Sequence, residues 1–239
     1  MINKQNLLQI TKKYQTNERN VINEYFQHIF LKYFYQNKKS SSIYFKGGTA
    51  LRIIFGSPRF SEDLDFSSKK VNQKEIEDLL ISTLDLITKE GITAELIEAK
   101  KTSGGYLGII KFNTNEYSSR LMFEISQRKS GLSGEVNTVA SDFTIPYLAV
   151  ILDRDILTEE KIQALLIRKK PRDFYDLYFM LRNGLINQNK RKILVEVRKE
   201  VNKTKINFDK ELKLFLPKTH HAVIKNFKKI LLMEIEKYI

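Results

Sequence analysis

Two stretches in the N-terminal half of the chain have the apolar periodicity of amphipathic helices. Apolar residues recur at spacings of three and four along residues 17–35 and again along residues 72–90, and this spacing places them on one face of a helix. Gly91 follows the second stretch directly, and a glycine in this place commonly ends a helix. We therefore predict two helices, each with one face packed against a core.

Short runs of β-prone residues alternate with these helices, and such runs predict strands. The predicted strands are 42–46, 63–67, 92–99, 106–113, 119–126 and 143–152. The pair Gly47-Gly48 forms a turn after the first strand, and residues 49–55 can form one or two helical turns with Thr49 near their start. Residues 131–134 are predicted to be a loop. These elements predict an α+β body whose second half is mainly antiparallel.

The pattern becomes helical after residue 155 and stays so to the end of the chain. Helices are predicted at 157–168, 172–182 and 190–201, followed by one or two more. No internal repeat or low-complexity linker separates the α+β part of the chain from the helical part. We place a boundary near residue 153, which gives a core of residues 1–153 and a helical lobe of residues 154–239.

The composition excludes several classes of protein and site. Of the 239 residues, 42% are hydrophobic and 29% are charged, as in ordinary globular proteins. The sequence has no apolar run of about 18 residues, the length that spans a bilayer, and we expect a cytoplasmic protein without membrane contact. Cysteine is absent, which excludes disulfides, thiolate metal sites and cysteine nucleophiles.

The net charge of +13 indicates a polyanionic partner. Residues 187–239 hold fourteen Lys and Arg against six Asp and Glu, and a positive surface of this size attracts nucleic acid. The alternative is that much of the excess lies on solvated helix faces.

Candidate chemistry lies between the first two predicted strands. Glycines between a strand and a helix let the backbone approach a phosphate closely. Asp63 and Asp65 are two apart on a predicted strand, so both carboxylates can face one hard divalent cation. Glu124, on a later strand, is the candidate third carboxylate. This set would suit metal-assisted phosphoryl or nucleotidyl transfer.

Each part of this set also has a plain structural interpretation. A glycine pair marks many tight turns, and two aspartates one residue apart occur on many surfaces. Glu124 can be an exposed strand residue paired with a lysine.

The glycine pair and the aspartates together carry a family resemblance. Gly47-Gly48-Thr49, thirteen further residues and Asp63-Leu64-Asp65 resemble the signature of the DNA polymerase β-type nucleotidyltransferase superfamily. The stretch KGGTALRIIFGSPRFSEDLDF is similar, more narrowly, to the AbiEii/AbiGii nucleotidyltransferase toxins of abortive-infection and type IV toxin–antitoxin systems. The stretch LTEEKIQALLIRKKPRDFYDLYFML resembles the downstream helical motif of that family.

The resemblance implies a fold and a set of roles. The fold would be a polymerase β-like core, with a mixed sheet and flanking helices, followed by a C-terminal helical lobe. Asp63, Asp65 and Glu124 would bind Mg²⁺ or Mn²⁺, and an NTP would be the substrate. The implied triphosphate or nucleotide contacts are Gly47, Gly48, Thr49, Arg59, Ser61, Lys161 and Asp176, with Asp173 as the downstream catalytic acid and Lys161 also catalytic.

Spacing alone allows a second interpretation of the downstream residues. Lys161 and Arg168 share one face of a predicted helix, and Asp173 and Asp176 share a face of the next. These opposed charges can form an ion-pair network that joins the helices, a role compatible with nucleotide binding. In the same way, Arg59 can contact a triphosphate or pair with Glu62.

We interpret the sequence as a Mg²⁺-dependent nucleotidyltransferase toxin. The basic tail favours RNA as acceptor, with the 3′ end of tRNA preferred, and the resemblance implies an antitoxin encoded nearby. Transfer to a protein hydroxyl is the alternative among enzymes. A nucleic-acid-binding or partner-binding module with a vestigial site is the alternative outside them.

Overall fold

The structure, a computed structural model, describes residues 2–128 and 130–239. The chain divides into two compact units. The first comprises the chain up to Gly56 together with Phe60–Asp153, and the second comprises Ser57–Arg59 together with Arg154–Ile239. Three residues of the loop that follows the glycine motif therefore belong to the second unit.

The first unit contains one mixed sheet with helices packed on it. Its helices are α1 (Lys4–Tyr14), α2 (Glu18–Phe34), α3 (Gly47–Ile53) and α4 (Gln73–Thr88). In the described residues its strands are β1 (Ile43–Lys46), β2 (Leu64–Ser68), β3 (Thr93–Thr102), β4 (Gly105–Asn113), β5 (Ser118–Gln127), β6 (Gly134–Val139) and β7 (Tyr147–Leu152).

These strands lie in the order β3-β4-β5-β2-β1-β7-β6. The pairs β2–β5 and β1–β7 are parallel, and the other neighbouring pairs are antiparallel.

Helix α2 covers one face of the sheet because its aromatic side chains recur at helical spacing. The helix begins after Asn17, whose side chain accepts a hydrogen bond from the backbone N–H of Asn20 and so caps the first turn. Its Phe30 and Phe34 rings meet Phe123 of β5 at centroid distances of 5.5 and 5.6 Å. Such fully buried rings are among the largest apolar contributions to a core.

The alternation of side chains along the central strands gives the sheet two different faces. Leu64 and Phe66 of β2, and Phe123 and Ile125 of β5, are 0% exposed and point toward α2. The residues between them point to the opposite face, where the side chains are polar and partly exposed. The polar face of the central strands is therefore the one available for chemistry.

The second unit is helical apart from the short segment Ser57–Arg59. Helix α6 (Pro171–Arg182) is its centre, buried continuously from Asp173 to Leu181. The other helices are α5 (Arg154–Arg168), α7 (Arg191–Lys203), α8 (Asp209–Phe215), α9 (His221–Lys225) and α10 (Phe227–Glu236). Among the residues described, no helix combines the length and the apolar character needed to cross a bilayer.

Several elements differ from the sequence prediction. Helix α3 begins at Gly47 rather than near Thr49, because Gly47 enters the helix from a positive φ of 82°. Strand β7 begins at Tyr147 rather than at residue 143. Strand β6, which starts at the end of the predicted 131–134 loop, was not predicted, and neither was α1.

Candidate active site

Asp65 and Glu124 are neighbours on the polar face of the sheet. Asp65 of β2 is the register partner of Glu124 in the parallel pairing with β5. Both residues are partly buried, and the residues on either side of each point into the core. The two carboxylates predicted on separate strands therefore lie side by side on one face, with access to solvent.

Lys46 lies on the other side of Asp65. It is the last residue of β1 and the antiparallel register partner of Asp65, and it is only 7% exposed. Asp65 thus lies between a lysine and a glutamate on adjacent strands. Spacing in the sequence predicts no role for Lys46, although it is the first residue of the KGGT stretch.

Gly47 brings the backbone against the carboxylate of Asp65. A Cβ atom built on Gly47 would lie 2.1 Å from Oδ2 of Asp65, far inside van der Waals contact. Its φ of 82° is also a conformation that residues with side chains rarely adopt. Glycine is therefore required here by both space and conformation.

Thr49 holds the loop that carries Asp63. Its hydroxyl donates a hydrogen bond to the carbonyl oxygen of Asp63 at 2.5 Å, and the residue is 0% exposed. Because this hydroxyl is buried and already donated, it positions Asp63 rather than offering a donor to a phosphate. Gly48 beside it is also buried.

The rest of this loop is tied to α2. The carbonyl oxygen of Ser61 accepts a hydrogen bond of 2.8 Å from the side-chain amide of Gln27, which is 1% exposed. Asp63 lies one residue before β2 and is partly buried. The backbone on both sides of the first aspartate is therefore fixed by buried side chains.

The donors of this face are suited to a hard cation, although the predicted three-carboxylate set stays a prediction. In the part of the chain that the structure describes, no three His, Asp or Glu side chains are grouped as a metal site. Mg²⁺ is usually bound by one or two protein carboxylates together with substrate phosphates and water. A partly exposed pair of carboxylates fits that requirement by donor type.

A buried charge cluster in the second unit joins Arg59 to Lys161 of α5 and Asp176 of α6. Asp176 of α6 accepts from Nε of Arg59 at 2.7 Å, from Nη2 of Arg59 at 3.0 Å and from Nζ of Lys161 at 2.7 Å. Asp176 is 1% exposed and Arg59 is 3% exposed. The cluster therefore contains two cations and one anion, with Arg59 held in a bidentate geometry that fixes its plane.

The ionisation of Asp176 follows from these partners. Burial alone would raise the pKa of this carboxyl, but Arg59 and Lys161 outweigh burial and hold the pKa below its usual range. Asp176 is therefore charged at neutral pH. Lys161, with its side chain 12% exposed, is the member of the cluster that borders solvent.

Asp173 lies in the first turn of α6, and both of its carboxylate oxygens accept hydrogen bonds. One carboxylate oxygen accepts from the backbone N–H of Lys170 at 3.2 Å, and the other accepts from Nη2 of Arg168 at 2.6 Å. The residue is 2% exposed. Asp173 therefore caps α6 and joins it to α5.

These contacts correspond to the ion-pair interpretation of the downstream motif. Both oxygens of Asp176 accept hydrogen bonds within the protein, and Arg59 is buried against this carboxylate. The nucleotide contacts predicted for these two residues stay predictions. Asp176 is the shared acceptor of Arg59 and Lys161. Arg59 pairs with Asp176, while Glu62 pairs with Arg19 at 3.3 Å.

A family model matches most of the chain. The family model described as nucleotidyl transferase AbiEii toxin, type IV TA system, matches residues 29–236. No curated protein sequence matches significantly.

Solved structures show the same fold. The crystal structure of JHP933 from Helicobacter pylori superposes with a TM-score of 0.68 at 22% identity, covering 93% of each chain. MenT4, a nucleotidyltransferase toxin from Mycobacterium tuberculosis, gives 0.65 at 17% identity, covering 92% of this chain and 84% of that one. The predicted fold class, a mixed sheet with flanking helices and a helical lobe, is confirmed.

Proposed function

Because this chain belongs to the AbiEii family of nucleotidyl transferase toxins, we propose that it transfers a nucleoside monophosphate from an NTP to an RNA acceptor with the help of Mg²⁺. Family membership makes the protein a nucleotidyltransferase of a toxin–antitoxin system, with an NTP as substrate and an antitoxin as partner. The acceptor, the metal and the roles of individual residues are part of this proposal.

The observation that carries the proposal is the in-register pair of Asp65 and Glu124 on the polar face of the sheet. Asp63 and Asp65 would hold Mg²⁺ or Mn²⁺, which neutralises phosphate charge and lowers the pKa of an attacking hydroxyl. Glu124 would accept the proton of that hydroxyl. The hydroxyl oxygen then bonds to the α-phosphorus as the bond to the bridging oxygen breaks and pyrophosphate leaves.

The glycine motif would support this reaction through the backbone. Gly47 allows the start of α3 to approach Asp65, and Thr49 fixes the carbonyl of Asp63. Lys161 would stabilise charge on the triphosphate, with Asp176 and Arg59 keeping the ammonium group in place.

RNA is the proposed acceptor because the protein carries a charge of +13, and cationic surfaces bind phosphate backbones. We favour the 3′ end of tRNA, whose hydroxyl groups are accessible. We propose the cytoplasm as the place of the reaction, because NTPs and tRNA are found there.

The test is transfer of label by the purified full-length protein. Each of the four NTPs, labelled at the α-phosphate, is incubated with total tRNA and Mg²⁺, and label is followed in RNA and in protein separately. We expect label in RNA with one preferred NTP and loss of the signal with EDTA. Label in protein alone would favour a protein hydroxyl as acceptor, and RNA binding without any label transfer would favour a vestigial site.

The Asp65→Asn variant tests the assignment of the carboxylate pair. The amide keeps the shape but not the anionic charge that a hard cation requires, so we expect transfer to fall at least 100-fold with unchanged thermal stability. Glu62→Gln is the matched control, since it removes a nearby carboxylate that pairs with Arg19 on the surface. Full activity of Asp65→Asn would overturn the assignment.

A further inference from the structure

We propose that a cationic cleft in the helical unit, separate from the Asp176 cluster, binds the phosphate backbone of the RNA acceptor. This inference rests on the proposed RNA-directed function and adds a second region of contact to it. The cleft has a volume of about 680 Å³. It is formed by the end of α6, the turn before α7, the start of α7 and the C-terminal residues after α10.

The charge of the lining is positive. Arg182, Arg191 and Lys237 contribute three cations, and Glu234 is the one acid among the described residues that line the cleft. Glu234 is bridged by Lys237 at 2.6 Å, so its charge is largely offset within the lining. Three cations against one acid leave the lining with a net charge of +2.

The arginines are available to a ligand. Both are exposed, and no ion pair of either arginine is found in the described part of the chain. Arg182 donates one hydrogen bond of 2.9 Å to the hydroxyl of Tyr178, which anchors one side of its guanidinium group. The remaining N–H groups can donate to phosphate oxygens.

Uncharged residues complete the lining of the cleft. The hydroxyl of Tyr238 donates to the carbonyl oxygen of Leu181 at 2.6 Å, which ties the C-terminal end of the chain to α6. Gln188 lies in the short 3-10 turn before α7 and adds an amide to the lining. Arg182 lies at the end of α6 and Arg191 at the start of α7, so the two arginines come from different helices of the lining.

The distribution of charge along the chain points to an extended ligand. Residues 154–239 contain twenty-one Lys and Arg against eleven Asp and Glu, whereas residues 1–153 contain twenty against seventeen. Most of the net charge of +13 is therefore in the helical unit, where this cleft lies. A phosphate backbone is the ligand that such a surface attracts most strongly.

The chemistry of the cleft favours an RNA backbone over a free nucleotide. Nucleotide pockets are usually concave and largely apolar, with a few buried polar groups that fix orientation. Here the cationic side chains are exposed at the rim, and this arrangement suits contact with successive phosphates from outside.

The experiment measures equilibrium binding of fluorescent tRNA to the full-length protein at several salt concentrations, without NTP. The variant Arg182→Gln/Arg191→Gln removes the two arginines. The matched control, Lys192→Gln/Lys199→Gln, removes two exposed cations of α7 that lie outside the cleft. All three proteins should have the same melting temperature, because the substituted side chains are at the surface.

We expect the arginine variant to bind at least tenfold more weakly than wild type and the control to change less than threefold. The slope of log affinity against log salt should fall by about one for each phosphate contact removed. Equal weakening of the variant and the control, or equal slopes, would overturn the proposal. An affinity for ATP that falls in the arginine variant but not in the control would overturn it as well, since the cleft would then be a nucleotide site.

The transfer assay separates this proposal from the proposed function. Wild-type protein that transfers label to RNA, together with an arginine variant that binds like the control, would refute the cleft and leave the function intact. Tight RNA binding that depends on the arginines, without any transfer, would support the cleft and refute the enzyme activity.

Discussion

At the scale of single residues, Asp176 is the side chain on which the most other groups depend. It is buried, and it balances one fully buried guanidinium group and one lysine. Removing one partner of a buried ion pair leaves the other charge uncompensated, which commonly costs about 3–5 kcal/mol. The replacement of an aspartate by asparagine is therefore not conservative at this position.

We expect Asp176→Asn to lower the free energy of unfolding by about 3–5 kcal/mol, as measured by urea denaturation. Asp173→Asn on the same helix is the matched comparison, because its partner Arg168 keeps 45% of its side chain exposed and an asparagine can still accept from Lys170. We expect that second variant to lose only about 1 kcal/mol. Equal losses of unfolding free energy in the two variants would show that Asp176 contributes no more to stability than Asp173 does.

At the scale of elements, the junction of β1 and α3 determines the geometry of the site. Gly47 has a positive φ and faces the carboxylate of Asp65. Gly56 has a similar φ of 74°, but a Cβ there would meet nothing within 4 Å. Both glycines therefore adopt a positive φ that disfavours residues with side chains, but only Gly47 lies against another residue, Asp65.

This difference gives a controlled test of the junction. The positive φ should cost Gly47→Ala and Gly56→Ala about 1 kcal/mol of stability each, as measured by urea denaturation, and Gly47→Ala should lose more because its methyl group would also clash with Asp65. Only Gly47→Ala should also lose transfer activity, at least tenfold, because its methyl group would displace Asp65. If both variants stay active, the approach of Gly47 to Asp65 is not needed for transfer.

The elements also show which features the sequence could predict. Helices α2 and α4 and the strands β4 and β5 were predicted within a few residues because each has a buried apolar face with regular spacing. Strand β6 was missed because it is an edge strand with mostly exposed residues, so burial imposes no alternation on it.

The candidate site was predicted in part for the same physical reason. The pairing of Asp65 with Glu124 follows from strand alternation once β2 and β5 are neighbours, but a sequence does not state which strands are neighbours. The burial of Asp173 and Asp176 could not be predicted from the sequence, since their spacing is compatible with both an ion-pair network and an exposed site. Lys46 could have been noticed only by the register of β1 against β2.

At the scale of the whole molecule, His28 links stability to pH. Its ring lies in the core, where Nδ1 is 2.8 Å from the hydroxyl of Tyr147, and Glu24, Arg52 and Asp142 are the charged groups around it. Burial, with a further contribution from Arg52, lowers the pKa of His28 to about 3. The folded protein therefore keeps this histidine neutral at pH values where the unfolded chain binds a proton.

The sign of the effect follows from this difference in proton binding. The unfolded histidine has a pKa of about 6.5, so the stability that neutral His28 contributes is present at pH 7 and is lost as the pH falls from about 6.5 toward 3. At pH 5 the loss is about 2 kcal/mol. In His28→Gln this component should be absent, so its stability should fall less than that of wild type between pH 7 and pH 5. Parallel curves from urea denaturation at pH 7, 6 and 5 would contradict this assignment.

The assignment of Ser57–Arg59 to the helical unit has a consequence for any chimera built from this protein. Replacing everything after Asp153 with the corresponding helices of a relative would leave Arg59 behind, next to helices that did not evolve with it, in place of its partner Asp176. The second unit consists of two separate segments of the sequence, so a single recombination crossover cannot transfer both of them. A chimera that keeps the unit intact would exchange Ser57–Arg59 together with the helices.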